Sequence, residues 1–143
     1  GTGATVSDGL ETVEIGKGII RREGGKIAII AFGSMVASSL TAADKLNATV
    51  ADMRFVKPID EELIVSLARS HDYIVTAEEN AEQGGAGSAV LEVLAKHGIC
   101  KPVLLLGVED KVTEHGDPKK LLADLGLNAE AVEKRIAGWI EAV

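Results

Sequence analysis

Several things are scarce in this chain of 143 residues, and each scarcity excludes something. One cysteine, Cys100, leaves no possibility of an internal disulfide. The aromatics are Phe32, Phe55, Tyr73 and Trp139 and no others, so a core has to be built from Val, Ile, Leu and Ala, as in buried parallel sheets. The longest apolar runs, 27–32 and 103–106, fall far below the roughly 20 residues that a membrane span needs. Basic side chains are outnumbered by acidic ones, 15 against 22, and the net charge of −7 repels phosphate backbones, which excludes nucleic acid as an expected partner. No charged segment followed by an apolar stretch opens the chain, so the expected location is cytoplasmic, with no membrane partner.

What is present is an average globular composition, 46 % hydrophobic and 26 % charged, in a length suited to one domain. The first residue is Gly1, within the polar stretch Gly1-Thr2-Gly3-Ala4-Thr5-Val6-Ser7-Asp8-Gly9. That beginning predicts a piece of something longer, with 1–14 as a linker from a preceding domain and 15–143 as the domain itself.

Hydrophobic periodicity then lays out the fold. Residues 18–22 and 27–32 flank Glu23-Gly24-Gly25-Lys26, a connection of hairpin length, and predict an antiparallel edge strand leading into a central one. Period 3.6 takes over at about 35–46 with Val36, Leu40, Ala43 and Asn47 on one face, and a strand returns at 49–53. Asp60 can cap a helix in which Glu61 and Glu62 oppose the positive end of the dipole and Leu63, Ile64, Leu67 and Ala68 are buried. Residues 73–77 form the next strand, Gly84-Gly85-Ala86-Gly87-Ser88 opens a helix that turns Val90, Val93, Leu94 and His97 inward, and Gly98 ends it. A strand at 103–108, a short helix capped at Asp117-Pro118, and a final helix from Asn128 with the stripe Val132, Ile136, Trp139, Ile140 and Val143 complete the order. Alternating strands and helices define a three-layer α/β/α sandwich, with a sheet of about five strands that is mostly parallel and has one antiparallel edge strand.

Few residues offer chemistry. Gly84, Gly85 and Gly87 stand between a strand and a helix, where free amides can hold an anion. They lack dinucleotide and P-loop spacing, and no Lys or Arg follows, so close packing is the expected role. Glu78-Glu79-Asn80 ends a strand where open α/β sheets place ligands, yet neighbours in an extended segment face opposite ways, and one carboxylate is expected to cap a helix or pair with an arginine. His71, His97 and His115 have no zinc-ligand spacing; the first two close helices and suit the negative dipole end. Ser34 and Ser88 have no evident triad partners, and Cys100 is expected to be a small buried hydrophobe. In Asp52-Met53-Arg54-Phe55-Val56-Lys57-Pro58-Ile59-Asp60 an aromatic residue lies between Arg54 and Lys57, which predicts a contact surface rather than a pocket.

This last segment, with Val75-Thr76-Ala77-Glu78-Glu79-Asn80-Ala81, Gly84-Gly85-Ala86-Gly87-Ser88, Ile15-Gly16-Lys17-Gly18 and Ala31-Phe32-Gly33-Ser34, closely resembles the C-terminal domain of the 1-deoxy-D-xylulose-5-phosphate synthase family, which has the transketolase C-terminal fold. The departure is at Gly107-Val108-Glu109-Asp110-Lys111-Val112, where the family usually has proline in place of Glu109. The resemblance implies a transferase that uses thiamine diphosphate and Mg²⁺ to condense pyruvate with glyceraldehyde 3-phosphate, losing CO₂, for isoprenoid, thiamine and pyridoxal phosphate synthesis. It implies that cofactor and substrates lie between two N-terminal catalytic domains, that this domain binds no cofactor or metal, and that it supports a homodimer. No family catalytic residue carries over; the expected contact residues are Arg54, Phe55, Lys57, Glu78, Glu79, Asn80, Gly84, Gly85 and Gly87. The alternatives are the matching domain of a 2-oxoacid dehydrogenase β-subunit or a transketolase, and a free-standing anion-binding module.

Overall fold

The computed structural model describes residues 14–79, 85–107 and 128–143. Strands β1 (Ile19–Arg22), β2 (Ile27–Ala31), β3 (Thr49–Asp52), β4 (Tyr73–Ala77) and β5 (Val103–Leu106) form one sheet in the order β1-β3-β2-β4-β5. β2 runs parallel to β3 and β4, β4 runs parallel to β5, and β1 is antiparallel to β3. The helices are α1 (Met35–Leu46), α2 (Glu61–Ser70), α3 (Ala86–Lys96) and α4 (Ala129–Ala142).

Both faces of the sheet are covered, and the alternation of β2 shows how. Ile27, Ile29 and Ala31 pack with α1 and α4, together with Val50, Val75, Val132 and Ile136. Ala28, Ile30 and Phe32 point the other way, into a cluster with Ile64, Leu67, Val90 and Leu94 of α2 and α3. Tyr73 meets Trp139 edge to face, with ring centroids 5.8 Å apart.

Local chemistry sets the helix ends. Asp60 Oδ1 accepts from Leu63 N at 3.1 Å as the N-cap of α2, and Asn128 Oδ1 accepts from Ala131 N at 2.8 Å at the start of α4. Asn47 closes α1 at φ 51°, and Gly98 follows α3 at φ 67°. Asp60 does a second job, since its Oδ2 accepts from Gly18 N at 2.9 Å and so anchors the entry to β1.

Four expectations need correction. The edge strand does not form a hairpin with β2; it pairs with β3, and the connection passes over the start of β3, where a Cβ on Gly24 would lie 2.4 Å from Asn47 O. His97 is turned outward, because at the C-cap of α3 it reaches Glu61 Oε1 at 3.2 Å instead of the core. Val143 is 61 % exposed, one residue beyond the last helical turn. Cys100 is exposed rather than buried. The short helix expected at Asp117-Pro118 lies outside the described residues.

Candidate functional site

In a parallel sheet the place for chemistry is the carboxyl edge, at the point where successive connections leave in opposite directions. Here β2 connects to β3 on one side and β4 to β5 on the other, so that point lies between the ends of β2 and β4. Gly33 and Ser34 follow β2, Arg54 and Phe55 follow β3, and Glu78 and Glu79 follow β4.

The two glutamates are divided as their alternation requires. Glu78 is 2 % exposed and its carboxylate accepts from Ala86 N at 2.8 Å through Oε1 and from Gly87 N through Oε2. Helix α3 begins at Gly85, which has no capping side chain, so its first amides would otherwise be orphaned. A carboxylate from the neighbouring strand end takes that place and opposes the helix dipole. Glu79, one residue on, is exposed.

Gly87 is the residue that lets α3 come this close. A Cβ there would lie 2.8 Å from Thr76 Oγ1, 3.0 Å from Leu105 Cδ2 and 3.2 Å from Glu78 Oε2. The glycine therefore serves close approach of helix to sheet, and the amides that could have held an outside anion are occupied from within. Thr76 Oγ1 beside it is buried without a hydrogen-bond partner among the described residues. Asn80 and Gly84 lie outside the described residues.

At the end of β3 the chain makes a γ-turn in which Phe55 N donates to Met53 O around Arg54, whose φ is 60°. This backbone is rare for a residue with a side chain, and such outliers gather at functional positions. Arg54 and Lys57 are exposed, Phe55 is half-buried and Val56 is 39 % exposed. The cations around them are paired: Lys17 with Glu62, Arg21 with Asp52, Arg22 with Asp44. Arg54, Lys57 and Glu79 make no hydrogen bond or ion pair among the described residues. Sequence spacing could not reveal the turn, although the adjacency of Arg54, Phe55 and Lys57 marked the segment.

The remaining titratable groups serve structure. His71 is buried at the end of α2; its Nδ1 lies 2.9 Å from Leu67 O, which can only accept, so that nitrogen carries the proton. Its Nε2 lies 2.8 Å from Thr49 Oγ1, which accepts from Gly24 N at 2.9 Å, so the ring ties α2 to the start of β3. Glu61 clamps α2 to α3; its hydrogen bond to His97, and then that to Lys96, hold its carboxyl below the usual range. No group of three or more potential metal ligands occurs among the described residues, and none of their helices is long and apolar enough to cross a membrane.

Comparison with known proteins agrees with this architecture. The family model for the transketolase C-terminal domain matches residues 16–132, and the chain belongs to that family. The chain is 84 % identical over 140 residues to the 1-deoxy-D-xylulose-5-phosphate synthase of Neisseria gonorrhoeae (strain ATCC 700825 / FA 1090), covering 98 % of this chain and 22 % of that protein. It is 57 % identical to the synthase of Bordetella petrii over 141 residues, again spanning 22 % of the relative's length. A solved structure described as a split gene transketolase, inactive beta4 tetramer, superimposes with a TM-score of 0.81 at 41 % identity, covering 88 % of this chain and 43 % of that one. The chain thus spans about a fifth of the curated synthases it matches.

Proposed function

We propose that this chain is the C-terminal domain of a 1-deoxy-D-xylulose-5-phosphate synthase, with 1–14 as the linker from the preceding domain and 15–143 as the domain. The parent enzyme is a cytoplasmic transferase and homodimer that condenses pyruvate with glyceraldehyde 3-phosphate using thiamine diphosphate and Mg²⁺, and this domain supplies contacts, not catalysis. The observation that carries the reading is the state of the carboxyl edge. Its buried carboxylate, Glu78, is committed to the amides of α3, and Gly87 leaves no space for a phosphate there. The described residues do not fit a diphosphate and its metal, so both are assigned to the two N-terminal catalytic domains.

Of the expected contact residues, Arg54, Phe55, Lys57 and Glu79 stand at the surface, whereas Glu78 and Gly87 are buried and act through the placement of α3. Gly85 is half-buried at the N-cap of that helix. Calorimetry of the chain with thiamine diphosphate and Mg²⁺ is expected to give no heat of binding. Micromolar binding to the chain alone would overturn this division of labour.

A further inference from the structure

The segment that leads into β1 is fastened to the start of α2 at each of its residues from 16 to 18. Gly16 holds φ 76°, and a Cβ there would lie 2.9 Å from Pro58 Cγ, so its backbone runs against the turn that precedes the helix. The Lys17 amide donates to Glu14 O at 3.2 Å and closes a turn, while its ammonium pairs with Glu62 at 3.7 Å. Gly18 lies over Leu63, whose Cδ2 would be 2.8 Å from an added Cβ, and its amide donates to Asp60 Oδ2 at 2.9 Å. Pro58, Asp60, Glu62 and Leu63 thus form one seat. Because β1 is antiparallel to β3, with Ile19 opposite Asp52, the chain enters the domain at the carboxyl edge of the sheet.

Asp60 is the member of this seat that joins the two elements. It is 8 % exposed, and its oxygens are divided, Oδ1 to Leu63 N in the first turn of α2 and Oδ2 to Gly18 N. A carboxylate is a rigid plane, so the rotamer that meets one amide also sets the other, and each bond holds that rotamer for its neighbour. Resting on the reading of this chain as the C-terminal domain of a longer one, we propose that residues 14–18 are a strap that makes the chain's entry part of the domain body, with Asp60 as its lock. Opening the strap loosens the cap of α2, and loosening the cap frees the strap. A displacement of the preceding chain is therefore passed to α2 instead of being absorbed in the surface segment, where a chain ordinarily opens at least cost.

Trypsin reads the strap directly, because the Lys17 side chain is 48 % exposed and cleavage after it requires the backbone to leave its seat. Arg21 in β1 is the internal control, since cleavage there requires β1 to leave β3. Asp60→Asn keeps one acceptor oxygen and sets an NH₂ against the other amide; Gly16→Val forces a side chain at positive φ onto Pro58 without touching α2. In the 143-residue chain both variants should be cut between Lys17 and Gly18 on the order of tenfold faster than the parent, with little change after Arg21. Hydrogen exchange at the Leu63 amide should also accelerate in Gly16→Val, in the chain and in the full-length synthase alike. Circular dichroism melts establish that each variant is folded, and Gly16→Ala takes the place of Gly16→Val if the larger side chain prevents folding. The proposal is overturned if the parent is cut after Lys17 as fast as the variants, or if Leu63 exchanges at the parental rate when Gly16 is replaced. None of these results decides which domain holds the cofactor, which the calorimetry with thiamine diphosphate tests separately.

Discussion

The same substitution, glycine to alanine, is expected to have opposite signs at two helical positions. At Gly87 an added Cβ meets Thr76 Oγ1 at 2.8 Å and Leu105 Cδ2 at 3.0 Å. Thr76 is a fully buried, β-branched strand residue, so its oxygen cannot swing aside without a poor rotamer. Overpacking of this kind costs about 1–3 kcal/mol. Displacing the Glu78 carboxylate, 3.2 Å from the new carbon, puts at risk a helix cap worth about 1 kcal/mol. Against this, alanine gains roughly 0.5–1 kcal/mol in a helix. The net expectation for Gly87→Ala is a loss of about 1–3 kcal/mol, and Gly87→Val should lose more. At Gly138 in α4 nothing lies within 4 Å of the added carbon, so Gly138→Ala keeps the propensity term alone and should stabilise by roughly 0.5–1 kcal/mol. Urea denaturation of both variants reads the difference as opposite shifts in midpoint at constant slope. A Gly87→Ala variant as stable as the parent would refute the close-packing argument, as would a saturable rise in melting temperature with phosphate that is lost in the variant.

Three further outcomes follow from named contacts. Asp60→Ala removes the α2 cap and leaves Gly18 N without its acceptor, for a loss of about 2–4 kcal/mol by denaturation, while Asp60→Asn should lose less. The Glu61 carboxyl is held below its ordinary 4.5 by His97 and then Lys96, so its contribution is present above that pH and lost as pH falls through the lowered value. Glu61→Gln should therefore be less stable than the parent at neutral pH, with the gap closing in acid titrations of melting temperature. Replacing Arg54 and Phe55 together by Ala in the full-length synthase should weaken subunit association by a few kcal/mol, read by sedimentation at low concentration.

What the sequence revealed was what neighbours in the chain decide. The cap at Asp60 acts three residues away, the turn out of α3 needs Gly98 at positive φ, and the alternation along residues 27–32 places one half of β2 in each core cluster. The opposite fates of Glu78 and Glu79 were legible for the same reason. The partner of β1 was not, because a four-residue connection suits a hairpin as well as a step across β3. The choice rests on Gly24 and Gly25 passing the backbone of Asn47 and Ala48, with Gly25 N donating to Asn47 O at 2.8 Å. The outward turn of His97 likewise depends on Glu61, 36 residues earlier on another helix. At the candidate site, residue types marked the segment around Arg54, but the γ-turn that projects it is a backbone state with no glycine to announce it.

The carboxyl edge of an α/β sheet usually offers unpaired helix amides to a ligand, and the cost of orphaned amides is what makes such sites bind. In this chain that cost is met internally at α3, where Glu78 supplies from the adjacent strand the negative charge that a phosphate would otherwise bring. Burying the carboxylate at 2 % exposure is tolerable because two amides and the helix dipole face it, and the same closeness requires glycine at 87. Among the described residues, the exposed side chains on this edge without a hydrogen bond or ion pair are Arg54, Lys57 and Glu79. Hydration already satisfies such charges, so their pairing adds little affinity and acts on orientation, while the exposed apolar area of Phe55 and Val56 beside them is what gains from being covered.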